Sequence, residues 1–453
     1  MTDDPRALSG LRHLEHHLRG PSIPDGSPAG QLALSVFLPG LASIRRMPLV
    51  GVLAFAVGVA MPIVVLAWFV ANRDRLIGIA LDERFLLAVA GVGLLAVVAR
   101  FAAIAEIAHA YRRSPGIGGQ TAVATIVVAA LSVPVLLVAY RANDARSVVA
   151  DVFGGGSGEP LFTPQGETSG VDPESVTNIL LFGGDAGPGR WGMRTDTMIL
   201  VSIHESSGRT ALVSIPRNLT RLQFPPGTPL AQEFPNGFDD LANALFTHVN
   251  GREELVAHYG AGGLQPEAIA LSEAIGYSLD VEIDDFAVVN MAGFSDVVDA
   301  VGGVTLELGQ SVPLPPDPEG RPLPPSIGPG VVDMDGPLAT AYARSRSADS
   351  DYERMGRQRQ LLAALGSQVS ATEALSAFGE VTGVLEDAMR TSLSSGEFGN
   401  LIDRLGDNSA IQESVGLTPP LITPGNPDYA QIRSIIDAVQ LAVVSGNPSG
   451  YSS

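Results

Sequence analysis

Three long apolar runs fill residues 47 to 140, and nothing comparable recurs in the rest of the chain. The first extends from Met47 to Ala71, the second from Phe85 to Ala110 with Arg100 and Glu106 interrupting it, and the third from Ala122 to Tyr140. A helix rises ~1.5 Å per residue, so ~20 apolar residues cross a bilayer core. The pattern therefore predicts three transmembrane helices. The first run starts too late and is too long for a signal peptide. Arg45 and Arg46 precede it, and Arg112 and Arg113 separate the second run from the third. Both pairs belong on the cytoplasmic side. Arg73, Arg75 and Arg84 in the first loop blur this bias, in company with Asp74, Asp82 and Glu83. Three spans leave the amino terminus inside and everything after Arg141 outside; two spans would invert the arrangement.

Beyond the spans the pattern changes. Residues 142 to 175 are rich in Gly, Pro, Ser and Glu without periodicity, and read as a flexible tether. Short β-patterned runs follow at Asn178–Phe182, Thr197–His204 and Thr210–Ile215, the last two joined by a hairpin loop, Glu205–Arg209. Helical spacing appears at Asp239–Tyr259 and at Pro266–Tyr277, which opens on a proline suited to a first turn. A strand at Val281–Val289, a helix at Ala292–Ala300 and a strand at Val304–Leu308 come next. Residues 311 to 330 form a proline-rich surface excursion. Helices are expected at Pro337–Arg344, Glu353–Val369, Thr372–Val384 and Asp428–Val443. Strands mixed with helices predict a three-layer α/β/α sandwich on a central mixed sheet. The resulting division is a cytoplasmic tail (1–46), a membrane region (47–141), the tether (142–175), a globular α/β domain (176–445) and a carboxy-terminal tail (446–453).

Charge sharpens that division. Residues 1–141 hold 12 Arg against 8 acidic residues, net +4, and residues 142–453 hold 16 Arg against 40, net −24. So acidic a domain is a poor non-specific ligand for nucleic acid, whose affinity comes from phosphate neutralisation. There is no cysteine, which excludes disulfides, thiol nucleophiles and zinc–thiolate centres. All basic residues are arginine, a sign of a GC-rich genome more than of function. The seven histidines fit no metal spacing.

Against this acidity, Arg344, Arg346, Arg354, Arg357 and Arg359 crowd into sixteen residues. Guanidinium binds phosphate or pyrophosphate through paired hydrogen bonds, although a charge run is also commonly a solvated helix end. If the helix has ended by Arg344, extended backbone aims Arg344 and Arg346 the same way. Arg354 and Gln358 share a helix face with Arg357 beside them, on a helix started by Ser350 or Asp351 and buried through Leu361, Leu362 and Leu365. Asp185 and Asp196 flank a glycine-rich loop between two strands, and Arg194 stands two residues before Asp196. The two carboxylates suit a shared hard cation such as Mg²⁺, or simply cap turns. Pro216 ends a strand and releases Arg217 at the sheet edge.

Taken in order and spacing, Asp185, Arg194–Thr197, Ser214-Ile215-Pro216-Arg217, Tyr342–Arg346 and Asp351–Gln358 resemble the LytR-CpsA-Psr family of wall-polymer ligases. The similarity spans roughly residues 176 to 445. It implies transfer of a glycopolymer from a polyprenyl diphosphate carrier to peptidoglycan, with a phosphodiester formed, at the outer face of the cell membrane. By that resemblance Asp185 and Asp196 hold Mg²⁺, while Arg194, Arg217, Arg344, Arg346, Arg354 and Arg357 grip the diphosphate with Gln358 assisting. The lipid tail would enter an apolar tunnel between helices and sheet. A base for the acceptor hydroxyl would be Asp351 or Asp196. Asn218 stands where the family usually has aspartate, and the chain has two extra spans beyond the single anchor typical of the family. The same residues would equally serve a lipid-diphosphate pyrophosphatase; a membrane-bound lipid sensor is the third reading.

Overall fold

The computed structural model describes residues 27–44, 47–71, 83–153, 159–164, 175–184, 195–260, 265–318, 320–346, 350–368, 389–394, 397–398, 401 and 411–452. Asp185, Arg194 and the helix expected at Thr372–Val384 lie outside these residues. The chain divides into two compact units, one formed by residues 1–73 and 84–144, the other mainly by residues 145–453.

In the first unit, α1 (Pro28–Phe37) opens on the Ser27 cap, whose hydroxyl accepts from Gly30 N. A first apolar helix follows as α2 (Pro48–Phe55), a π-helical turn (Ala56–Ala60) and α3 (Met61–Ala71). Then come α4 (Glu83–Ala110) and α5 (Ile117–Phe153). Pro48–Trp68, Leu87–Ala110 and Ile117–Leu137 are each long and apolar enough to cross a bilayer. Leu49, Val64 and Ile126 point outward, each more than half exposed, as lipid-facing positions require. The helix α5 runs on to Phe153. The first residues of the expected tether are therefore helical: Ala142 to Phe153 hold alanine, valine and arginine but no glycine or proline to stop propagation.

The second unit is built on a mixed sheet of β1 (Val176–Gly184), β2 (Thr195–His204), β3 (Thr210–Ser214), β4 (Asp285–Asn290), β9 (Met389–Thr391) and β10 (Ile411–Gly416), in the order β10-β3-β2-β1-β4-β9. β1 and β4 are parallel, as are β3 and β10, and the remaining pairs are antiparallel. Strand side chains alternate between faces, and both faces are covered. Leu180, Phe182, Met198 and Leu200 pack beneath α7 (Ala242–Asn250), α9 (Pro266–Leu279) and α13 (Tyr429–Ser445) through Leu245, Leu271, Ile275, Ile432 and Ile436. Their neighbours Ile179, Ile199 and Val201 face the other way, against Leu362 and Ala363 of α12 (Asp351–Gln368). This is the expected three-layer sandwich.

Short α6 (Pro229–Glu233) and α8 (Glu253–Tyr259) complete the α7 side. A second, smaller core joins α10 (Met291–Ala300), β5 (Val304–Leu308), β8 (Gly330–Met334), α11 (Gly336–Arg344) and α12. The segment expected to be one helix from Asp239 to Tyr259 is two, because Gly251 and Arg252 interrupt it. Within the proline-rich excursion, β6 (Val312–Pro313) pairs with β7 (Ser326–Ile327).

Candidate active site

Parallel β1 and β4 end at the same sheet edge, where β2 begins. Open α/β sheets bind ligands outside the carboxyl ends of such strands. A cavity of about 490 Å³ lies there. Its wall combines Leu181, Ile199 and Val289 from the sheet with Phe294 of α10 and Leu361 and Leu362 of α12. Arg344, Arg346, Arg354, Asp196 and Gln358 also line it. An apolar chamber and a cluster of guanidinium groups thus share one space.

Local rules place each group. Gly183, next to the end of β1, lies opposite Thr197, and a Cβ there would lie 2.8 Å from the Thr197 Cβ, so only glycine lets the strands close at this point. Asn290 caps α10, accepting from Gly293 N at 2.7 Å; Asp335 caps α11, accepting from Leu338 N at 3.0 Å. α11 stops at Arg344, and Ser345 takes extended backbone angles, φ −55° and ψ 131°. Ser345 is buried while Arg344 and Arg346 are not. The expected alternation holds. The carbonyls that the end of α11 leaves without an intrahelical partner are met by α12: Gln358 Nε2 donates to Ala343 O at 3.4 Å and Arg357 Nη2 to Ser345 O at 2.6 Å. Arg357 is buried and does not line the cavity, unlike Arg354 one turn before it.

Two carboxylates organise the arginines. Asp196 accepts from Arg217 Nη1 at 2.6 Å and Arg346 Nη2 at 3.0 Å, and Arg354 Nη1 stands 3.8 Å away. Asp351 accepts from Arg217 Nε at 3.0 Å and lies 3.1 Å from Arg354 Nη2 and 3.8 Å from Arg346 Nε. Arg354, only 3% exposed, also donates to the Asp196 carbonyl at 3.0 Å. A buried guanidinium needs such partners. Burial works against the charge of Arg217, but Asp196 and Asp351 outweigh it and hold its pKa above the ordinary value. Among the described residues, Arg217, Arg346 and Arg354 meet two carboxylates and Arg344 lines the same cavity, so four guanidinium groups stand against two carboxylates there. Such a surplus attracts an anion.

Sequence reading brought Arg217, Arg344, Arg346, Arg354, Gln358 and Asp196 to one place, and the structure gathers them. It adds two features. Asp351, read as a helix start and, by the resemblance, as a candidate base, is an ion-pair hub; its three-residue spacing from Arg354 was the available signal. Asn218 Nδ2 donates to Tyr352 Oη at 3.3 Å, next to that hub. Among the described residues, no three His, Asp or Glu side chains gather to hold a metal ion. Mg²⁺ commonly takes one or two carboxylates and completes its shell with phosphate and water. Asp196 is a carboxylate of that kind beside the cavity, and both its oxygens accept from arginine here.

A model of the LytR_cpsA_psr family matches residues 162–416, more than half of the chain. The chain belongs to the LytR_cpsA_psr family. It is 27% identical over 251 residues to Biofilm regulatory protein A of Streptococcus mutans, covering 53% of this chain and 56% of that protein. To the polyisoprenyl-teichoic acid–peptidoglycan teichoic acid transferase TagU of Bacillus licheniformis it is 27% identical over 228 residues, covering 49% of this chain and 62% of that protein. TagU of Bacillus subtilis is 26% identical over 250 residues, 54% of this chain and 68% of its own length. The chain thus spans little more than half the length of the streptococcal relative. Among solved structures, B. subtilis TagV superposes with a TM-score of 0.43 at 22% identity, covering 60% of this chain and 99% of TagV.

Proposed function

We propose that this protein transfers a glycopolymer from a polyprenyl diphosphate carrier to peptidoglycan. The observation that carries the proposal is the meeting of an apolar cavity with a surplus of guanidinium charge. A ligand matching both has a long hydrocarbon part and an anionic head, as a lipid diphosphate does. The Bacillus relatives named as polyisoprenyl-teichoic acid–peptidoglycan transferases support the reaction class.

In the reaction, an acceptor hydroxyl oxygen bonds to the glycan-bearing phosphorus, the P–O–P bridge breaks, and polyprenyl monophosphate leaves with the bridging oxygen. The acceptor's proton passes to a base. Leaving and transferring phosphates both carry negative charge, and fixed cations lower the barrier by meeting it without reorganisation. Arg344, Arg346 and Arg354 at the cavity wall would hold the phosphate oxygens. Arg217, outside the cavity lining, would hold Asp196 and Asp351 in place beside them. Leu181, Ile199, Val289, Leu361 and Leu362 would receive the first isoprene units and exclude water from the diphosphate. Asp196, joined by Asp185, would hold Mg²⁺, which supplies further charge neutralisation on the phosphates. In this reading the domain works outside the cell, anchored by the three apolar helices.

The test is reconstitution of the full-length protein with lipid-linked glycan and peptidoglycan fragments, followed by analysis of products. The proposal expects polymer joined to peptidoglycan through a phosphodiester. Release of phosphorylated glycan without any joined product would overturn it in favour of hydrolysis.

A further inference from the structure

Arg344 and Arg346 owe their common direction to the residue between them. Ser345 is 1% exposed. Its extended backbone turns its own side chain inward and both neighbours outward. Inside, two separate elements hold it. The Ser345 hydroxyl donates to the Pro313 carbonyl of the proline-rich excursion. Arg357 of α12 donates from Nη2 to the Ser345 carbonyl at 2.6 Å. One residue is therefore fastened on both sides, by side chain and by backbone.

The described residues of the excursion are tied together by bonds of their own. Val312 and Pro313 pair with Ile327 and Ser326. Leu314 N donates to Pro325 O at 2.9 Å, and Arg321 closes a two-pronged bond onto Asp317 at 2.9 and 3.0 Å. Repeated proline fixes φ and lowers the entropy lost on ordering. Pro315 of the same segment lines the cavity beside Arg344 and Arg346. The excursion was expected to be a mere surface feature; it forms part of the cavity wall and is bonded to the arginine turn.

We propose that Ser345 is a positioning residue, whose bonds to the Pro313 carbonyl and to Arg357 set the spacing of Arg344 and Arg346 to match two linked phosphates. The inference rests on the reading of this cavity as a diphosphate site. One phosphate needs only one well-aimed guanidinium, whereas a diphosphate needs two at a fixed separation. Loosening the turn should then cost discrimination between the two ligands more than it costs overall binding of an anionic lipid.

The probes are geranylgeranyl diphosphate and geranylgeranyl monophosphate, titrated against detergent-solubilised full-length protein. Ser345→Ala should reduce the wild-type preference for the diphosphate by about tenfold, the scale of one charge-assisted hydrogen bond, with monophosphate binding retained. Ser345→Thr, which keeps the hydroxyl, should restore most of the preference. Ser345→Cys keeps the volume with a weaker donor and carries the same test if the alanine variant does not fold. An unchanged preference in Ser345→Ala, or in Ser345→Cys where that variant is the one used, overturns the positioning role alone. Absence of any preference in the wild-type protein overturns the diphosphate reading and this inference with it.

Discussion

Arg217 shows what a single side chain contributes. It sits outside the cavity lining, yet it bonds Asp196, which lies within, and Asp351, which braces Arg354. Arg217→Ala is expected to lower transfer about 10²–10³-fold, the range for removing one preorganised charge donor. Arg217→Lys should not recover it, because an ammonium cannot span two carboxylates as the planar fork does. Initial rates with lipid-linked glycan check both. This arginine was legible in sequence because Pro216 ends its strand. The double contact with Asp196 and Asp351 was not, since it joins residues 21 and 134 positions apart.

A second prediction lies far from the arginines. A cavity of about 280 Å³ at the amino ends of β1 and β4 is lined by Glu159, Glu205, Asp284, Asp285 and Glu397. Burial pushes Asp284 up to about 7, with Glu282 and Asp285 adding to it and the Asn178 N–H opposing it; burial likewise lifts Asp285 to about 6. Both values exceed those of the unfolded chain, so the fold binds protons that the unfolded chain has released. Stability should therefore fall as pH rises from about 4 to about 7. Tm is expected to be higher near about pH 5.5 than near about pH 8, with a smaller difference in Asp284→Asn. An equal difference in that variant would assign the pH dependence elsewhere.

At the scale of elements, the site depends on how α11 and α12 are seated. Gly336 begins α11 against α10, and a Cβ at this position would lie 2.0 Å from the Ser295 carbonyl oxygen. Its N–H donates to Asp299 Oδ1 at 2.6 Å. Gly336→Ala must shift the helix, so it should cost about 1–3 kcal/mol, visible in thermal unfolding, and weaken diphosphate binding through Arg344. Stability lost with binding intact would mean that the helix moves without its arginine.

Elements were legible where pattern and burial agree. Val304–Leu308 was read to the residue, and β1 to β3 to within two. β10 was missed because Ile411–Gly416 carries a carboxylate at its centre. Glu413 is 1% exposed and accepts bonds from Ser449 and Ser452. Burial opposes its charge, but those serine bonds prevail and hold its pKa below the ordinary range. Alternation cannot reveal an inward acid whose partners lie some forty residues away.

At the scale of the whole molecule, three helices long and apolar enough to cross a bilayer precede an acidic domain. The orientation drawn from Arg45, Arg46, Arg112 and Arg113 is directly testable because the chain has no cysteine of its own. In intact cells, a membrane-impermeant maleimide should label Asn447→Cys and spare Ser27→Cys, both exposed positions. The reverse pattern would place the domain inside and end the proposal of a wall-directed reaction.

The most direct test of the central claim is native mass spectrometry of the full-length protein taken from its own membranes, alongside an Arg344→Ala/Arg346→Ala double variant. The wild-type protein is expected to carry a polyprenyl phosphate or diphosphate that the variant has lost. A wild-type protein free of such lipid, or a variant that retains it equally, would contradict the union of arginine cluster and apolar cavity on which the proposed function stands.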